Sequence, residues 1–164
     1  MVVASLVYSI PLVLETASAE SVIKNINIGN TPIGVAFNPS NDYTYATNRD
    51  LGTVSVIDGS TNDVIKNIRV GWSPFDVAFN PTNALIYVAS GTVSVIDGST
   101  NDVIKDIPVG LQPSAIVFDS HSGNMYVVNQ YSKNISVIDS STNTVVGTIP
   151  IGEDRPTAVS LRLP

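Results

Sequence analysis

Two stretches decide the fold. Val54 to Gly71 reads VSVIDGSTNDVIKNIRVG, and Val93 to Gly110 reads VSVIDGSTNDVIKDIPVG; they differ only at Asn67/Asp106 and Arg69/Pro108. A third copy, Ile135 to Gly152, reads ISVIDSSTNTVVGTIPIG. Likeness over such a length does not arise from composition bias. Recurrence at a spacing of about 40 residues marks a chain of stacked structural units.

A second shared block lies between the copies. It reads PIGVAFNP from Pro32 to Pro39, PFDVAFNP from Pro74 to Pro81 and PSAIVFD from Pro113 to Asp119, and a further start lies at Pro156 to Leu161. Each unit therefore divides into four short runs: A (Ile33 to Asn38), B (Tyr43 to Asn48), C (Thr53 to Asp58) and D (Val64 to Val70). Val35 and Phe37 fall on one face of A, Gly34 and Ala36 on the other, the period-two pattern of a strand. The A–B link carries Asn-Pro and the C–D link Asp-Gly-Ser-Thr-Asn, turn formers because Gly tolerates positive φ and Asx side chains bond nearby backbone. In the second unit the B–C link shrinks to Ser90-Gly91, against Asn48 to Gly52 in the first. A hairpin loop absorbs such a deletion readily.

Four strands per unit at this spacing predict an all-β chain of β-propeller blades. No segment holds the 3.6-residue apolar period of a helical repeat. Apolar residues on both faces of A and C fit sheets buried on both sides. The expectation is three complete four-stranded antiparallel blades, over 32–70, 74–109 and 113–151, flanked by a leading D strand over 21–28 and a trailing A strand over 157–161. That is an incomplete ring, since propellers commonly close with four to eight blades. An end blade with a bare face of about 350 Å² forfeits on the order of 9 kcal/mol at about 25 cal/mol per Å². Three ways of covering it stay open: further blades in a longer chain, self-association, or the N-terminal stretch supplying strands B and C of a fourth blade.

The motifs Tyr-Ala-Thr-Asn (Tyr45 to Asn48), Tyr-Val-Val-Asn (Tyr126 to Asn129), Val-Ser-Val-Ile-Asp and Val-Gly-x-x-Pro resemble those of the YVTN β-propeller repeat family, with WD40-like blades. That family is similar in turn to surface-layer propeller proteins of archaea and some bacteria. The resemblance covers 21–164. It implies a propeller, usually extracellular, and supplies no set of catalytic residues. The second unit departs from the motif at Tyr87-Val88-Ala89-Ser90, where the strand-B Asn is missing.

The first nineteen residues stand apart. Val2 to Leu14 is almost wholly apolar, and Ala17-Ser18-Ala19 before Glu20 has the small-residue pattern of a secretory cleavage site. Pro11 and the absence of a leading Lys or Arg run against that reading, and Leu6 to Tyr8 with Leu12 to Leu14 also read as degenerate strands of the repeat. The run is short for a membrane span, which takes about 20 residues. Across the chain 43% of residues are hydrophobic and 13% charged, with a net charge of −6, which argues against a disordered chain and against phosphate-backbone binding. There is no cysteine, hence no disulfide and no thiolate chemistry.

Each candidate site has a plain structural role set against it. Asp58, Asp97 and Asp139 end the C strands, where oxygen-rich turns invite calcium; Asp63 where an EF-hand loop has Gly, with Arg69, Pro108 and Pro150 in place of its Glu, favours Asx-stabilised turns. His121, the single histidine, reads as a turn residue. Phe37, Phe79 and Phe118 read as inter-blade core rather than a stacking platform. Asn48 and Asn129 are expected to satisfy backbone groups at the ends of B. Asn38, Asn80 and Asp119, near the expected channel, are too alike for a catalytic set. Lys24, Lys66 and Lys105 recur on D and read as guards of an exposed edge. Asn134-Ile135-Ser136 is a glycosylation sequon, relevant in an exported chain. Trp72, Tyr43 and Tyr131 lie in or beside connections, where an aromatic either packs or offers its face to carbohydrate or a partner.

No catalytic, cofactor or metal constellation emerges. The sequence favours a non-enzymatic extracellular or cell-surface scaffold with a protein or glycan partner, without nucleic acid and without a membrane span. The alternatives are a piece of a larger propeller enzyme or cofactor-binding propeller, of lyase, lactonase or quinoprotein type, and a gene fragment with no function of its own.

Overall fold

A computed structural model describes residues 21–152. The described residues form twelve strands: β1 (Pro32–Asn38), β2 (Tyr43–Asn48), β3 (Thr53–Asp58), β4 (Asp63–Arg69), β5 (Asp76–Asn80), β6 (Leu85–Ala89), β7 (Val93–Asp97), β8 (Asp102–Ile107), β9 (Pro113–Phe118), β10 (Asn124–Asn129), β11 (Asn134–Asp139) and β12 (Thr144–Pro150). They make three antiparallel sheets, each a meander in chain order: β1 to β4, β5 to β8 and β9 to β12. Register is the same in each. Asp58, Asp97 and Asp139 lie opposite Tyr43, Leu85 and Asn124, and a bulge between C and D recurs after Val56, Val95 and Val137. The expected N-terminal segment 1–19 and the A strand at 157–161 lie outside the described residues.

The sheets stack with their A strands together. β1 packs on β5 and β5 on β9, whereas the outer strands β4 and β8 barely meet. Close inner strands and splayed outer ones are the arrangement of propeller blades around an axis, an open ring of three. Side-chain alternation divides each sheet between two neighbours. On β6, Ile86 and Val88 face the first sheet while Tyr87 and Ala89 face the third. The first interface is filled by Tyr45, Val54, Val56 and Ile68 against Val77, Ile86, Val88 and Ile96. The second repeats it one unit on, with Tyr87, Val93, Val95 and Ile107 against Ile116, Met125, Val127 and Ile138.

Polar latches tie the blades at one end. The Tyr45 hydroxyl bonds Asn101 Oδ1 at 2.6 Å, and Tyr87 bonds Asn143 Oδ1 at 2.6 Å; each Asn sits in the C–D turn of the next blade, with φ of 59° at Asn101 and 54° at Asn143. Burial raises both tyrosines above the usual phenol range.

Three expectations are corrected. Phe79 and Phe118 pack into the two interfaces, but Phe37 is 51% exposed, with Val35 and Ile33 beside it, because among the described residues no blade covers the back of the first sheet. Residues 21–28 form no strand, for a D strand needs a C strand to pair with. They nonetheless lie as a D strand would: the Ile28 carbonyl accepts from Ser55 Oγ as that of Val70 accepts from Ser94 Oγ. Finally, the recurrent lysines are straps between blades. Lys24 bonds Asp63 at 2.6 Å and Lys66 bonds Asp102 at 2.7 Å, while Lys105 reaches only the Thr142 carbonyl because Thr144 stands where the acid would be.

Candidate functional site: the loop face around Trp72

The two ends of the blades differ. The A–B and C–D turns close one end; the B–C loops and D–A connections form the other. At the turn end the expected aspartates do structural work. Asp58 Oδ1 accepts from the backbone N–H of Ser60 at 2.8 Å and of Thr61 at 3.2 Å and from the Ser60 hydroxyl, and Asp97 and Asp139 repeat the pattern with Ser99 and Ser141. The serine hydroxyl, then the backbone N–H, holds each carboxyl below the usual carboxylate range. Asp119 does the same with Ser122 and His121 N–H, which leaves His121 an exposed turn residue. Asn38 and Asn80 are buried and cap their A–B turns through Ser40 and Thr82.

Asn48 and Asn129 bond side chains rather than backbone. Asn48 Nδ2 donates to Ser55 Oγ at 2.9 Å, and Asn129 Nδ2 to Ser136 Oγ at 2.9 Å and to Asn134 Oδ1 at 2.8 Å. The same amides press on the glycines that end the preceding D segments: a Cβ on Gly110 would stand 2.7 Å from Asn129 Cγ. Two motifs far apart in sequence are thus one contact. Asn134 begins β11 with its Oδ1 engaged, and the Ser136 hydroxyl that a sequon requires is buried. A glycosyl transferase would have to act before this sheet closed.

The loop end carries what the repeat does not share. Each D–A connection bonds the B–C loop of the blade it enters: Arg49 N–H to the Thr31 carbonyl, Gly91 N–H to that of Trp72, Tyr131 N–H to that of Leu111. In the first blade that loop is Arg49 to Gly52, whose Leu51 packs over Gly29. In the second it is Gly91 alone, with no counterpart of Leu51 over Gly71. Trp72 follows Gly71 and is 87% exposed; its counterparts Asn30 and Leu111 are exposed as well.

Two shallow cavities flank that indole. One, of about 470 Å³, lies between it, Arg69 and the Arg49–Gly52 loop. The other, of about 460 Å³, runs from Arg49 and Phe75 over Gly91 to Gln112 and Pro113. Arg49 has two contacts: its Nε bonds Asp50 at 3.2 Å, and its guanidinium lies 5.9 Å from the Phe75 ring centre. Asp50 accepts in turn from Thr31 Oγ1 at 2.6 Å, which together with Arg49 holds its carboxyl below the usual range. Arg69 forms no ion pair among the described residues. Of the aromatics singled out in connections, Trp72 lies in this site, Tyr131 is exposed on the third blade's loop, and Tyr43 packs against the first interface. Sequence reading missed both arginines; Arg69, where the second copy has Pro108, was the signal available.

Among solved structures the chain is similar to hydrazine synthase of Kuenenia stuttgartiensis, at 26% identity with a TM-score of 0.72 over 80% of this chain and 40% of that one. The chain thus spans two fifths of that neighbour's length. Matches extend to 811 solved chains, a breadth that ties the fold to no single activity. No family model matches, and no curated protein matches.

Proposed function

We propose that the chain is a non-enzymatic scaffold at the cell surface or outside the cell, of the YVTN surface-layer type, that binds through the loop face around Trp72. The observation that carries this reading is a tryptophan 87% exposed between two cavities, with two arginines beside it. Exposed Trp and Arg are residues that binding surfaces concentrate. Near-identity of the C–D turns supports a uniform frame.

The test uses the full chain, labelled, on intact cells of its source, with Trp72→Ala and Arg69→Ala compared with His121→Ala at the opposite end. Loss of surface retention with the first two and not the third is expected. Equal retention by all three contradicts the reading. A second reading, part of a larger propeller enzyme, draws on the likeness to a chain named as a synthase and spanned only in part. It predicts that the full-length product of the source gene exceeds 164 residues and turns over a substrate.

A further inference from the structure

Resting on the binding role just proposed, we infer that the Trp72 site takes an anionic saccharide, its carboxylate held by Arg69 and Arg49 and its apolar ring face laid on the indole. Three observations carry this. The indole is bare on both sides, and a flat aromatic with free faces stacks the C–H face of a sugar ring while leaving its hydroxyls to polar neighbours. Cavities of about 470 and 460 Å³ on its two flanks fall within the size range of small-ligand sites, and together they accommodate more than one ring. Their polar rim supplies the hydroxyl partners: the Asp50 carboxylate accepts, Ser73 does both, and the Gln112 amide donates and accepts.

Charge selects the acid. The chain carries a net charge of −6 with only eight Lys and Arg, yet two arginines line the same cavity beside the one tryptophan. Arg49 is oriented by Asp50 and Phe75, which leaves its remaining N–H groups for a ligand. Arg69, without an ion pair, presents a fork that matches a carboxylate with two parallel hydrogen bonds. A nucleic-acid strand would also stack on Trp72, but its successive phosphates need a basic track that this acidic surface does not provide.

Trp72 is the single tryptophan, so its fluorescence reports the site without a label. The full chain is titrated with a glucuronate-containing tetrasaccharide, its carboxyl-reduced counterpart and a single-stranded hexanucleotide. Saturable quenching by the acidic sugar, at least tenfold tighter than by the reduced one, is expected, weakening as salt rises. Arg69→Gln should lower affinity for the acid about tenfold and leave the reduced sugar unchanged. A second variant, Trp72→Ala, removes the stacking face and the fluorophore together, so it is followed by heat rather than light. Calorimetry should show binding lost there, with the unfolding transition retained.

Equal affinity for both sugars would overturn the carboxylate assignment, and preference for the hexanucleotide would overturn the saccharide. Absence of saturable quenching by any probe would do the same. None of these results touches the surface-retention test, whose failure would instead remove the loop face as a binding site.

Discussion

At the residue scale, the repeat is an internal mutagenesis experiment. The A–B turn places its last residue at positive φ in all three blades: Asp42 at 60°, Ala84 at 56° and Gly123 at 75°. Left-handed backbone costs an L-residue about 1–2 kcal/mol, less the freedom that glycine adds to the unfolded chain, about 0.4–1 kcal/mol. Ala84→Gly should therefore raise stability by about 0.5–1 kcal/mol, and Gly123→Ala should lower it by a similar amount, both read from denaturant midpoints. The turn aspartates give a second prediction. Asp58, Asp97, Asp119 and Asp139 all have carboxyls held low by hydroxyl and backbone donors in the folded state. A depressed folded value means stability that is fully present above the unfolded range and lost as pH falls through the folded value. The melting temperature should therefore hold from neutrality to about pH 5 and fall below about pH 4. Replacing Asp58, Asp97 and Asp139 together by Asn should flatten that fall.

At the element scale, the strands were legible because period-two alternation and Asx turns are local properties. Their ends agree with the sequence reading to within a residue or two, as at β1, which begins at Pro32 rather than Ile33. What was not legible is contact between units. Gly34, Asp76 and Ala115 occupy one position of strand A. In the structure Gly34 passes so close to β5 that a Cβ would stand 2.9 Å from Asp76 Cα. Asp76 in turn staples β5 to β9, its Oδ2 accepting from the Ile116 N–H at 2.9 Å and its Oδ1 from its neighbour Val77. Removing that carboxylate leaves a half-buried N–H between the innermost strands, so Asp76→Ala should cost about 1–3 kcal/mol. Val77→Ala, which thins the adjoining core without touching the staple, provides the scale for a plain packing loss of about 1–2 kcal/mol. Equal stability of Asp76→Ala and the parent would show that the contact does not form. The same limit explains the site. Trp72 was named as an aromatic in a connection, but the Arg49, Arg69 and Gln112 that surround it come from other segments, and no single residue encodes that.

At the scale of the whole molecule, the described residues build one interface twice and leave it unmade at both ends. The back of the first blade offers Val35, Phe37 and the Asn62 turn; the front of the third offers Tyr126, the counterpart of the latching Tyr45 and Tyr87. The bare faces follow from three radial sheets in place of a closed ring. Everything claimed for the loop face depends on that geometry, since it is what brings Arg49, Trp72 and Gln112 from three successive segments to one end. The chain has no cysteine, so pairs of spin labels can be placed at will. Labels at Ile65 and Val146 mark the outer strands of the first and third blades, and labels at Ile33 and Ser114 mark their inner strands. Distances measured between electron spins should be clearly longer for the outer pair than for the inner pair. Equal distances for the two pairs would mean flat sheets facing one another in layers, and would contradict the propeller.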